Sequence, residues 1–119
     1  MLTGSCHCGA VQISIPRKPR RLTSCNCSIC RRHGGLWGYF KRREVKVRAR
    51  RGALQSYLWG DRCLRLMRCA TCGCITHWVA IRATDDSRTG VNLRNFEPGE
   101  IAGIRVRRFD GATTWRFLD

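Results

Sequence analysis

Hydrophobic and polar residues change places at every second position over much of this chain. Val11, Ile13 and Ile15 fall on one face and Gln12 and Ser14 on the other, a half-buried strand that Pro16 ends. Across Glu44 to Arg50, Val45, Val47 and Ala49 alternate with Lys46, Arg48 and Arg50, so the apolar three are expected to face inward. Ile75, His77, Val79 and Ile81 alternate with Thr76, Trp78 and Ala80, and Ile104 to Arg108 repeats the pattern. Leu36 to Phe40, Leu54 to Trp59 and Cys63 to Arg68 read as further strands, and Val91 to Phe96 as a short extended piece. Turn signals separate them at Gly52, Gly60-Asp61, Glu97-Pro98-Gly99 and Asp110-Gly111. Asp85 to Gly90 reads as a polar loop and Arg17 to Arg21 as a basic one. Ser28 to His33 has room for one helical turn, which Gly34-Gly35 would stop. No segment sustains a period of about 3.6 residues, so the pattern predicts an all-β fold.

The chain has 119 residues, which suits one domain over 1–119 with a modest core that a metal would help. No apolar run is long enough to span a membrane. Met1 to Gln12 lacks the basic and then apolar layout of a signal peptide, so a cytoplasmic location is expected. In that reducing compartment nine cysteines point to metal or catalysis, not to a disulfide framework. The balance of 23 Lys+Arg against 8 Asp+Glu, a formal +15, raises an anionic partner: nucleic acid, or a carboxylate or phosphate held by arginine forks. The basic residues are spread from Arg17 to Arg116, which favours a solvated surface over a dedicated nucleic-acid site. Paired carboxylates, a nucleophile–base set and a phosphate-binding loop are all missing from the sequence.

The densest chemistry lies in Cys25-Asn26-Cys27-Ser28-Ile29-Cys30, three thiols in six residues. Such a run cannot easily close on itself as disulfides, but it can wrap one soft cation. Zinc takes thiolates at about 2.3 Å; structural sites hold four protein ligands, and catalytic sites hold three with an open position. Two further groups stand apart, Cys6 and Cys8, and Cys69 and Cys72. Cys-x-Cys and a distant Cys-x-x-Cys together complete four thiolates, and Gly9 and Gly73 fit the turns of such knuckles. The division into four plus three is preferred to joining Cys25, Cys27 and Cys30 with Cys69 and Cys72, which would put five thiolates on one metal and strand the N-terminal pair. Reduced thiols packed as small hydrophobes are the bland alternative, and the expected state of Cys63 and Cys74. His33, three residues after Cys30, is a candidate fourth ligand.

These motifs resemble a known family. Gly4-Ser5-Cys6-His7-Cys8-Gly9-Ala10-Val11, Cys25-Asn26-Cys27-Ser28-Ile29-Cys30-Arg31-Arg32 and Cys69-Ala70-Thr71-Cys72-Gly73 are similar, in order and spacing, to the glutathione-dependent formaldehyde-activating enzymes, a family that includes centromere-protein-V-like proteins. Val106-Arg107-Arg108-Phe109-Asp110-Gly111 resembles the family's end. The resemblance implies a Mss4-like small β-sheet fold stapled by zinc. It implies a structural zinc on Cys6, Cys8, Cys69 and Cys72, and a second, catalytic zinc on Cys25, Cys27 and Cys30; with three thiolates and an open position, the second is expected to be the more labile. It also implies carbon–sulfur lyase chemistry, in which glutathione adds to formaldehyde to give S-hydroxymethylglutathione. Arg31 and Arg32, with Lys41, are candidates for holding the carboxylates of such a thiol, and Trp37 and Phe40 for walling its pocket. Two other readings stay open: a zinc-dependent nucleic-acid-binding module, and a thiol or formaldehyde carrier without turnover.

Overall fold

The computed structural model describes residues 1–119 and consists mainly of strands. Eleven strands form two sheets. The smaller sheet has three, in the order β1 (Leu2–Ser5), β2 (Val11–Ile15) and β5 (Lys46–Ala49), all antiparallel. The larger has eight, in the order β11 (Arg116–Phe117), β10 (Arg105–Asp110), β3 (Arg21–Cys25), β4 (Trp37–Lys41), β9 (Arg88–Asn92), β8 (Ile75–Ala80), β7 (Leu64–Cys69) and β6 (Leu54–Tyr57). Only β3 and β10 run parallel, with Arg21 opposite Arg105 and Cys25 opposite Phe109. Two four-residue helices, α1 (Cys30–His33) and α2 (Pro98–Ile101), and two 3-10 turns, Arg42–Glu44 and Leu93–Asn95, complete the regular structure, the second turn falling where the pattern predicts an extended piece.

The core joins the two sheets. Val11, Ile13 and Ile15 of β2 pack with Leu22, Phe40, Val91, Leu93 and Phe96, all of them buried. This follows from the alternation read in β2, whose odd positions are buried. The helical turn after the triple-thiol run forms as expected, and Gly34 ends it at φ 70°, a left-handed conformation that glycine reaches without a Cβ clash.

Other expectations need correction. Val47 and Ala49 share a face with Val45, but both are exposed, because β5 stands away from the larger sheet across an open cleft. The polar loop ends earlier than expected: β9 begins at Arg88, and Thr89, Gly90, Val91 and Asn92 are buried in the middle of the eight-stranded sheet. Gly90 belongs there because the Trp78 indole of β8 covers it, leaving no room for a Cβ. β1 and β3 carry too few apolar residues to announce themselves, and pairing with β2, β4 and β10 forms them.

His77 is buried with its Nδ1 2.9 Å from the Thr76 hydroxyl, and burial lowers its pKa to about 4 from the ordinary 6.5. The unfolded chain therefore takes up the proton first. Stability from the neutral ring is complete above pH 6.5 and lost as pH falls toward 4, on the order of 3 kcal/mol in all. We expect His77→Gln to flatten that part of the acid-denaturation curve. Because the thiol groups also respond to acid, the measurement is the difference between wild type and variant; parallel curves over this window would contradict the assignment.

Candidate metal centres

Two groups of thiols come together. Cys6, Cys8, Cys69 and Cys72 form one, and Cys25, Cys27 and Cys30 the other, with all sulfurs of each group within 4.8 Å of one another. None of the nine cysteines forms a disulfide.

The first group is built from two turns of the same design. The Cys6 N–H bonds the Val11 carbonyl at 3.0 Å, and the Cys69 N–H bonds the Cys74 carbonyl at 3.0 Å. Gly9 at φ 84° and Gly73 at φ 78° reverse the chain inside each turn. Backbone N–H groups then point at the sulfurs: Val11 to Cys6 Sγ at 3.3 Å, and Thr71 and Cys72 to Cys69 Sγ at 3.4 and 3.5 Å. Cys6 Sγ lies 3.7 Å from Cys8 Sγ, which lies 3.6 Å from Cys69 Sγ. A tetrahedral zinc with bonds of about 2.3 Å sets its sulfurs about 3.8 Å apart, so the donors fit that ion. Backbone N–H bonds, first that of Cys74, lower the Cys72 thiol to about 5, into the range where it is a thiolate at neutral pH.

The second group sits where β3 passes into α1. Cys25 ends the strand, Cys27 is buried, and Cys30 opens the helix. The Cys27 N–H points at Cys25 Sγ at 3.4 Å. The bond from Cys30 lowers the Cys25 thiol to about 6, while sharing with Cys25 raises that of Cys30. Three sulfurs in this arrangement fit a zinc that keeps one position open.

The parallel pairing of β10 brings a second segment over this group. The Asn26 N–H bonds the Phe109 carbonyl at 3.2 Å, and the Asn26 amide donates to Asp110 Oδ1 at 3.0 Å. Asp110 also takes the N–H groups of Thr113 and Thr114 and the Thr114 hydroxyl. These bonds, that of Asn26 first, hold its carboxyl below the usual carboxylate range. Asn26 Oδ1 in turn accepts the Ala112 N–H at 3.0 Å. The clamp sets the Gly111 backbone so close to the thiols that a Cβ there would stand 2.6 Å from Cys25 Sγ. Asn26 and Asp110 escaped the sequence reading because the contact spans 84 residues and rests on a parallel strand pair.

Above the three thiols lies a cavity of about 750 Å³. Trp37 and Tyr39 of β4 line it, Trp78 of β8, Phe109 of β10 and Phe117 of β11. Phe40, expected as a wall, is in the core instead, since it alternates with Tyr39 along β4. Arg31 and Arg32 are exposed on α1 and are not among the lining residues, and Arg32 bonds the Ser28 carbonyl at 2.6 Å. Lys41 is exposed, 4.0 Å from Asp86. The cations that do line the cavity are Arg88, stacked 3.8 Å from the Tyr39 ring centre, and Arg116. His33 is not grouped with the three sulfurs: its Nδ1 accepts the Gly35 N–H at 3.1 Å, and its ring meets Trp37 edge-on. Cys74 packs against the core, whereas Cys63 is exposed beside Asp61 in the turn before β7, contrary to the packed thiol expected.

Fold and thiol groups together define a small all-β domain with cysteine clusters able to hold metal. The sequence profile of the glutathione-dependent formaldehyde-activating enzyme family matches residues 1–103, and the chain belongs to that family. It is similar to a Halomonas elongata protein named, provisionally, as a glutathione-dependent formaldehyde-activating enzyme, with 48% identity over 40 residues. That match takes in 33% of this chain and 26% of the relative, so the chain spans about a quarter of that protein's length. A Rhodobacter sphaeroides protein of known crystal structure superposes with a TM-score of 0.71 at 27% identity, over 88% of this chain and 99% of that one. No helix is long and apolar enough to cross a membrane.

Two variants separate the thiol groups. Cys69→Ser should abolish the cooperative thermal transition, because metal-binding free energy at a closed site is folding free energy, while Cys27→Ser should keep the β circular-dichroism signal and lose metal from one group only. Equal unfolding of both would make the Cys25 group structural. Gly111→Ala, whose new Cβ would press on Cys25 Sγ, should lower metal content at the Cys25 group with little change in melting. Full metal content in that variant, measured by atomic emission, would remove the Gly111 backbone from the site.

Proposed function

We propose that this chain is a zinc-dependent carbon–sulfur lyase that joins a small thiol, of which glutathione is the family's namesake, to formaldehyde. The observation that supports it is the contrast between the groups. Four thiols close on themselves at one, while three at the other face a cavity. A closed set serves structure and an open one serves chemistry. On this reading Cys6, Cys8, Cys69 and Cys72 hold a structural zinc within a single domain over 1–119. Cys25, Cys27 and Cys30 hold the labile one.

A zinc held by Cys25, Cys27 and Cys30 would supply Lewis acidity, favouring thiolate over thiol and polarising a carbonyl. The chain's residues do the rest. In the net reaction a sulfur–carbon bond forms, the carbonyl π pair moves to oxygen, and the proton lost by the thiol ends on that oxygen as the hydroxymethyl group. Trp37 and Phe109 keep bulk water from the thiols, and the Asn26–Asp110 clamp holds the loop that carries them. Trp37 is a substrate-binding residue on this reading. Arg31 and Arg32 serve it only at the outer rim, since both are exposed outside the cavity lining. The nine unpaired cysteines support a reducing compartment such as the cytoplasm. Nucleic acid is the weaker partner, because the cations are spread and just two line the cavity.

The test is exchange of formaldehyde between free and thiol-bound forms, followed by magnetization-transfer NMR. Wild-type protein loaded with zinc should accelerate exchange, by roughly the two or more decades expected of a positioned catalytic group, and Cys27→Ser should not. Stoichiometric adduct without acceleration would turn the protein into a carrier, and no adduct would remove the thiol chemistry altogether.

A further inference from the structure

The cavity over Cys25, Cys27 and Cys30 is aromatic to a degree that glutathione does not explain. Of its 16 lining residues 13 count as hydrophobic, three of them the thiols themselves and seven of them aromatic. All four tryptophans of the chain are among them, Trp37, Trp59, Trp78 and Trp115. Glutathione carries two carboxylates, an ammonium and two peptide groups, each of which loses water on entering such walls and needs a partner in return. The walls offer few. No carboxylate lines the cavity, so the sole anionic partners for an ammonium are the thiols engaged with metal, and two arginines repel it. Arg88 and Arg116 make no ion pair within the chain, and the Arg88 guanidinium carbon lies 3.8 Å from the Tyr39 ring centre. Together they can serve one carboxylate.

Trp115 supplies the second observation. It is 72% exposed while lining the cavity, and its φ of 58° is a conformation that bulky residues seldom adopt. The Asp110 turn imposes it: the Trp115 N–H bonds the Asp110 carbonyl at 2.7 Å, and the ring meets Phe109 edge-on. A large ring held in a disfavoured conformation and left bare at the mouth is placed to cover an apolar ligand.

We propose that the occupant of this cavity is an apolar, aryl-bearing monocarboxylate, and that this group is the body of the thiol the site takes. The second clause rests on the thiol–formaldehyde reading above; the first stands on the walls alone. The ring lies among Trp59, Trp78 and Trp115, the carboxylate meets the arginines of the lining, and the sulfur faces the Cys25 group.

Titration of the zinc-loaded protein by calorimetry and tryptophan fluorescence distinguishes the two clauses. The probes are α-mercapto-β-phenylpropanoate, its thiol-free analogue β-phenylpropanoate, and glutathione. The aromatic thiol should bind about tenfold or more tightly than glutathione, the gain expected from burying a ring. Trp115→Ala, and Arg88→Gln combined with Arg116→Gln, should each weaken it about threefold to tenfold, and Trp115→Ala should weaken glutathione by a smaller factor. If Trp115→Ala fails to fold, Trp59→Ala at the same rim replaces it. Equal or tighter binding of glutathione overturns the apolar occupant and leaves the thiol reading standing. Equal binding of the two phenyl compounds, both ahead of glutathione, upholds the apolar occupant and sinks the thiol reading. Binding of none of the three overturns the proposal.

Discussion

Cys8 and Cys69 are 61 positions apart in the chain, and their sulfurs are 3.6 Å apart in the fold. That approach is the constraint on which the rest depends. Thiolates repel one another, and four of them gathered at one point stay together only around a cation. When they do, the turn after β1 is tied to the turn after β7, and so the small sheet is tied to the large one. A chain of this length has little apolar surface to spare. Its core of buried residues includes Cys6 and Cys69 themselves, so the thiol group and the hydrophobic cluster are one continuous structure.

The second group uses a different support. Its three thiols lie at the end of β3, on the face of the large sheet that the core does not use. What holds them is polar: Asn26, between two of the cysteines, is bonded to Asp110 and to the backbone beyond it. A hydrogen-bonded turn can open more readily than a closed tetrathiolate, and here the turn is also the roof of the cavity, through Phe109, Trp115 and Phe117. Roof, clamp and thiols thus form one unit. A change in any of them acts on the others, as the closeness of Gly111 to Cys25 makes plain.

The charge of the chain has little part in this. Most of the cations are exposed, several in pairs that contribute little, such as Arg17 with Glu44 and Arg43 with Asp86. Arg88 and Arg116 are exposed as well, but they differ in lining the cavity, and Arg88 lies over the Tyr39 ring there. Position, and not the formal +15, gives an arginine a role in recognition.

The sequence by itself determined the broad class and the thiols that come together. Seven cysteines at ligand spacing marked out two thiol groups able to hold metal, because the ligands within each motif are too close along the chain to be placed otherwise, and the alternation in β2 announced a strand with one buried face, whereas in β8, with strands on both sides, the neighbours Thr76 and His77 are both buried. It could not say which arginines matter. Arg31 and Arg32 are neighbours of Cys30 along the chain, yet they point to solvent, while Arg88, 58 positions on, faces the cavity. It misjudged β5, whose apolar residues share a face but have no sheet against them. It gave no sign of the Asn26–Asp110 clamp either. Sequence spacing governs contacts within a turn; strand order governs contacts across a sheet, and no local pattern encodes that β10 returns parallel to β3. The tertiary structure alone therefore decided what surrounds the three thiols, and with it the kind of molecule that can reach them.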